Sequence, residues 1–255
     1  MNLEYIKLDT RIKIFHEKTH KNKVNILKKT KATLQKLKNK ILRKKDISIT
    51  INRSSSSGKF SKSTIDIDEK TVLKKLREKL PEVISDEALE YITSVWKEKL
   101  NAKIEYGQIF DYKTGEKLGE ESEGTIDEVN ISSDGVDLTR KNLASQHNHI
   151  NGKLCPPSPD DFFITMSNDW KDFEFVLSEK EIWVIEAEGH FNTLIREIIK
   201  ENMENFVNIA ILKAKAKGLK NDTNERIKYI NDSYSADVEK YIDMKNEISV
   251  YRVIL

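Results

Sequence analysis

The 255-residue chain contains one cysteine, Cys155, so no intramolecular disulfide can form, and a lone thiol fits a reducing compartment. No apolar run is long enough to span a bilayer, and the first residues lack the hydrophobic region of a secretory signal. The expectation is a soluble, cytoplasmic protein with no membrane partner. There is no glycine-rich loop of the kind that cradles phosphates, and no internal repeat of the kind that builds solenoids. From residue 12 to residue 45 there is neither glycine nor proline, which leaves nothing to interrupt a helix.

A net charge of +2 conceals a strong asymmetry. Residues 1–60 hold 17 Lys+Arg against 4 Asp+Glu, whereas the remaining 195 hold 27 against 38. The chain therefore reads as a basic arm on an acidic body, the arm suited to nucleic acid or to an acidic surface, its own included. Within it, Leu27, Leu34, Leu37, Ile41 and Leu42 recur near helical spacing among lysines and predict a long amphipathic helix or helix pair. His16-Glu17-Lys18-Thr19-His20 matches the helical zinc motif H-E-x-x-H, but Lys13, Lys18, Lys21 and Lys23 crowd it. No further carboxylate follows until Asp46, so solvated surface histidines are the better reading. Alternating Ile47, Ile49 and Ile51 predict an edge strand, and Arg53 through Gly58 a serine-rich linker.

Beyond the linker the pattern is mixed α/β. Helices are expected over residues 68–80, stopped by Pro81, and from the Ser85 cap to about residue 100, with Leu89, Ile92, Val95 and Trp96 facing inward. Strands are expected over 104–112 and 124–131, with the turn Lys113-Thr114-Gly115 between them. Residues 136–150 lead into a further strand, and a short helix ends near Trp170. A hairpin over 173–177 and 182–187 turns at Ser178-Glu179-Lys180. Two helices follow, over 191–217 with Gly218 as stop and over 224–245, then a final strand over 248–255. This divides the chain into a basic helical arm and linker at 1–60, a central domain at 61–190 and a C-terminal helical extension at 191–255.

The central domain carries the chemistry. On a strand ending at residue 150, His147 and His149 share one face with Asn148 opposite, so two imidazoles can hold one ion. Ser158 is a good N-cap, Pro159 suits the first helical turn, and Asp160 and Asp161 complement the helix dipole. Ser158 with Asp160 and Asp161 makes a sound helix start without any metal. Two imidazoles and a carboxylate form the N,N,O set that Zn²⁺ accepts in catalytic sites, with the fourth position left to water. His190, after Gly189, reads as a turn residue, and Cys155 as a loop thiol.

His147-Asn148-His149 followed by Ser158-Pro159-Asp160-Asp161 resembles the H-x-H plus S-x-x-D signature of JAMM (JAB/MPN-type) zinc metallopeptidases. His-Asn-His is most similar to their prokaryotic RadC-like and phage-associated branch. The family places a glutamate in the strand after its first helix, and Lys103-Ile104-Glu105-Tyr106-Gly107 stands in that order. Ile150 replaces the usual proline, and the loop from His149 to Ser158 is one residue longer than usual. Counting from His149 therefore selects Asp160 as the ligand, and counting from Ser158 selects Asp161. Asp161 is favoured, because local helix geometry sets the second spacing and loops absorb insertions.

The resemblance, which spans roughly residues 85–188, implies a cytidine-deaminase-like mixed sheet flanked by helices. It implies a zinc-dependent hydrolase, a peptidase or isopeptidase, with His147, His149 and Asp161 as ligands. Glu105 would move the proton, and Ser158 would donate a hydrogen bond to the oxyanion. The implied substrate is a protein or peptide, with a ubiquitin-like or other small tail as the usual target. A different reading keeps the fold without catalysis, as a DNA-associated protein or a phage or mobile-element assembly protein that uses the basic arm.

Overall fold

In the computed structural model the described residues are 67–255, apart from 151–154, 188–190, 192, 222 and 243–247. The expected arm helix, its His16–His20 motif, the strand at 46–51, the linker and His190 lie outside them.

Two helices open the described chain, α1 (Glu69–Lys79) and α2 (Asp86–Lys99). Each starts where a side chain satisfies a free amide: Asp68 accepts from Thr71 N, and Ser85 accepts from Ala88 N. Acidic residues fill the first turns and lysine or arginine the last, as the helix dipole favours. Strands β1 (Tyr106–Asp111), β2 (Lys117–Glu123) and β3 (Leu143–Asn148) follow, then α3 (Pro159–Ser167). The chain continues with β4 (Phe173–Leu177), β5 (Glu181–Ala187), α4 (Thr193–Ala216), α5 (Asn224–Ile242) and β6 (Ile248–Ile254).

The six strands form one mixed sheet in the order β2-β1-β3-β4-β5-β6. β3 and β4 run parallel, so the chain between them must cross over one face, and α3 lies in that crossover. The other neighbouring pairs are antiparallel. Alternation along β4 shows both faces covered. Phe173, Phe175 and Leu177 join the core under α1 and α2, and Val176 joins the second core with Phe162, Met203, Tyr234 and Val238. That second core holds α3, α4 and α5 against Trp183 and Ile185 of β5. The result is helices on both sides of a sheet.

The expected strand at 124–131 is not present. The second strand of the hairpin is β2, seven residues earlier than expected at its start, and 124–142 is irregular. The turn closes at once because Asp111 Oδ1 accepts from Lys113 N at 2.8 Å and Thr114 N at 3.1 Å, and Gly115 supplies φ +70°. β2 is an edge strand whose side chains are mostly in solvent, so hydrophobic alternation does not mark it. α3 ends at Ser167, short of Trp170. The expected boundary after residue 190 does not divide the core: residues of α4 and α5 pack in the same cluster as α3, and β6 pairs with β5 along its length.

Candidate metal centre

The site forms where the end of β3 meets the start of α3. β1 pairs with β3 in the register Gly107 opposite His147, and Ile109 opposite Ser145. Gly107 is glycine for a reason of space, since a Cβ there would lie 2.5 Å from Ile131 Cγ1. The loop after β2 thus packs against the sheet beside His147.

Ser158 and Asp161 form a reciprocal capping box at the start of α3. The Ser158 hydroxyl oxygen accepts from Asp161 N at 3.1 Å, and Asp161 Oδ2 accepts from Ser158 N at 2.6 Å. This local pairing fixes the Asp161 side chain towards the histidines. Asp160, one residue earlier, is exposed and forms an ion pair with Lys200 Nζ at 2.5 Å. Of the two aspartates left open by counting, Asp161 stands at the site.

Three side chains converge. His147 Nε2 lies 3.1 Å from His149 Nε2 and 3.5 Å from Asp161 Oδ1, and His149 Nε2 lies 3.4 Å from Asp161 Oδ2. One ligand atom from each of the three falls within 4.8 Å of the others. Tetrahedral zinc with bonds of about 2.0–2.1 Å places its ligand atoms about 3.3–3.4 Å apart. The two imidazole nitrogens are near that separation and each faces a different oxygen of Asp161, so the three side chains are close enough to share one ion, and the donor set fits a borderline-soft divalent ion.

Outside the donors lies a buried polar network. His147 Nδ1 is 2.8 Å from Glu174 Oε1, an arrangement that places the proton on Nδ1 and leaves Nε2 as the donor atom. Glu174 Oε2 accepts from Lys171 Nζ and from the Ser145 hydroxyl, and Lys171 Nζ also donates to Ser145 Oγ at 2.9 Å. Ser145, Lys171 and Glu174 are all buried. Burial raises the Glu174 carboxyl, but the Lys171 ammonium and His147 outweigh it and bring the pKa down to about 2.

Glu105 is also buried, and burial lifts its carboxyl above the usual range while His149 and His147 pull the other way. Those two rings and Asp161 act on it electrostatically, so its carboxylate lies within range of their charge. Its backbone is held on one side by Glu105 N donating to Thr125 O and Gly124 N donating to Glu105 O, both at 2.8 Å. On the other side Asn148 Oδ1 accepts from Tyr106 N at 2.7 Å, and its Nδ2 donates to Ile104 O at 3.4 Å.

Charge bookkeeping points the same way as distance. Among the described residues, with neutral imidazoles, ionised Glu105, Asp161 and Glu174 bring three negative charges and Lys171 one positive charge. An uncompensated surplus in a buried site is costly, and protons or a dication offset it. Burial opposes protonation of His147, yet Asp161 and Glu174 raise its pKa to about 10. Asp161 is correspondingly held well below the usual carboxylate range, against burial, by His147 and His149.

Cys155 stands apart from this set. Burial pushes its thiol up to about 11, with Glu181 adding to the effect and a Ser178 hydrogen bond opposing it. The sequence did not point to Glu174, Lys171, Ser145 or Tyr234. Tyr234, fully buried on α5, donates to Pro157 O at 2.9 Å and holds the chain just before the Ser158 cap. A usable signal existed for Glu174, the one charged residue in Phe173-Glu174-Phe175-Val176-Leu177, because a carboxylate in a wholly buried strand needs a partner.

Among the described residues no helix is long and apolar enough to cross a membrane. Comparison of the chain with protein-family models, with curated proteins and with solved structures finds no match in any of the three.

Proposed function

We propose that the protein is a zinc-dependent hydrolase of the JAMM type, a peptidase or isopeptidase acting on a protein or peptide. The observation that carries this reading is the spacing of His147 Nε2, His149 Nε2 and the Asp161 carboxylate, at 3.1–3.5 Å, beside a buried glutamate. The resemblance of His147-Asn148-His149 and Ser158 through Asp161 to the family signature supports it, as does a mixed sheet with helices on both faces.

His147, His149 and Asp161 would hold the zinc, which when bound supplies Lewis acidity, bringing a coordinated water to a pKa of about 7 and polarising a carbonyl. Glu105 accepts the proton of the attacking water and returns it to the leaving amine. Its burial favours this role, because burial raises the carboxyl above its usual range and makes it a stronger base. The Ser158 oxygen already accepts from Asp161 N, so its hydroxyl hydrogen is available to the negative charge developing on the carbonyl oxygen. Such a donor contributes about 3 kcal/mol in comparable sites.

The test is Glu105→Gln in the full chain, supplied with polypeptides bearing fused or isopeptide-linked ubiquitin-like tails. The parent is expected to cleave in a chelator-sensitive way, and the variant to bind one zinc but not cleave. A variant that cleaves at the parental rate overturns the assignment of Glu105.

A second reading rests on the 17 basic against 4 acidic residues in 1–60. In it the arm binds nucleic acid or an acidic surface, as suits a DNA-associated or phage or mobile-element assembly protein. Steeply salt-dependent DNA binding that vanishes when residues 1–60 are deleted supports it.

A further inference from the structure

The buried network behind His147 has no part in the chemistry just described, yet it is unusually complete. In the parallel register of β3 and β4, Glu174 lies directly opposite Ser145, two residues before His147 on the same strand and face. The carboxylate therefore spans two tasks. Its Oε1 meets His147 Nδ1 at 2.8 Å, and its Oε2 is held by both Lys171 Nζ and Ser145 Oγ. Lys171 also donates to Ser145 Oγ at 2.9 Å, closing a triangle in which Ser145 accepts from the ammonium and donates to the carboxylate.

Burying an ammonium at 5 % exposure and a carboxylate at 3 % is not a cheap way to stabilise a sheet. Apolar residues of similar size would often do as well or better. What an apolar pair cannot do is fix the orientation and tautomer of an imidazole. An imidazole with its Nδ1 proton committed to a carboxylate presents the Nε2 lone pair outward, here towards His149 and Asp161. A free carboxylate could rotate about its terminal torsion, whereas one held by two donors on Oε2 cannot.

We propose that Lys171 is a positioning residue for the metal: together with Ser145 it locks the Glu174 carboxylate, which fixes the Nδ1–H form of His147 and aims Nε2 at the ion. This rests on the metal-centre reading above and adds to it a determinant of affinity that never touches the ion. The zinc ligands and Glu105 stay as assigned.

The experiment is zinc competition titration of the full chain, with ¹⁵N-histidine NMR of the zinc-loaded protein. Parent, Lys171→Met, Glu174→Leu and Asp161→Ala are compared, with folding checked by circular dichroism. Lys171→Met and Glu174→Leu are expected to weaken zinc binding by roughly 10–100-fold, the usual effect of removing an outer partner of a ligand. Asp161→Ala is expected to weaken it further. In the parent, His147 is expected to show a far-downfield proton coupled to Nδ1. A folded Lys171→Met with parental zinc affinity overturns the proposal while leaving the metal centre intact. So does a parental His147 protonated on Nε2 and ligated through Nδ1, which needs no variant to observe. A parent that binds no zinc overturns the metal centre and this proposal together.

Discussion

Asn148 lies between His147 and His149 in the chain but serves the opposite face of the strand, where its carboxamide bridges Tyr106 N and Ile104 O, the neighbours of Glu105. The β1–β3 ladder runs from Asp111 opposite Leu143 to Gly107 opposite His147 and ends there. Past that point a side chain takes over from the backbone. Glu105 is thereby held to the same strand that carries the histidines.

Replacing that amide should separate the glutamate from the metal. Asn148→Leu leaves Tyr106 N without its acceptor, a loss of about 1 kcal/mol for this part-buried bond. Zinc stoichiometry should remain at one, cleavage should fall by about a hundredfold if Glu105 is displaced by about 1 Å, and the Tyr106 amide should exchange faster. Hydrogen exchange and metal analysis read this without a known substrate. An unchanged Tyr106 exchange rate counts against it.

The two aspartates at the start of α3 should behave differently. Asp161→Ala removes a donor and half of the capping box, so zinc and about 1 kcal/mol of stability should both be lost. Asp160→Ala breaks only an exposed ion pair with Lys200 and should retain zinc with stability nearly unchanged. Elemental analysis of the two purified variants side by side decides it.

The metal-free protein should lose stability as pH rises through the alkaline range. His147 has its pKa raised from 6.5 to about 10, so its contribution is fully present below about 6.5 and is lost as pH climbs through about 10. Zinc must displace that proton, so apparent zinc affinity should rise about tenfold per pH unit for each proton released. Melting temperatures with and without chelator, from pH 6 to 10, test the sign. A metal-free melting temperature that rises across this window contradicts the protonated His147.

Tyr234→Phe removes one hydroxyl from the interior and leaves Pro157 O unpaired. A loss of about 1–3 kcal/mol is expected in urea denaturation, with faster zinc release because the chain entering the Ser158 cap is less firmly held. A variant with parental zinc release would confine Tyr234 to packing.

Much of this arrangement was legible in the chain. Ser85 announced one helix start as a cap, Ser158 with Pro159 and two aspartates announced another, and Gly218, at φ +74°, marked the end of α4. The period of two placed His147 and His149 on one face. β2 was not legible, because an edge strand reading Lys117-Leu118-Gly119-Glu120-Glu121-Ser122-Glu123 buries almost nothing and owes its position to the Asp111–Gly115 turn. Lys171 and Glu174 escaped for another reason. Their meaning depends on which strand lies beside β3, and the spacing of one chain does not state that neighbour in advance.

Because β3 and β4 run parallel, the polypeptide has to travel back across the sheet between them, and the return path is what delivers Ser158 and Asp161 to the histidines. Route and ligand are thus the same piece of chain. Adding a residue inside the capping box would swing a donor away from its partners. Evolution, or an engineer, must therefore keep the count of residues from Ser158 to Asp161.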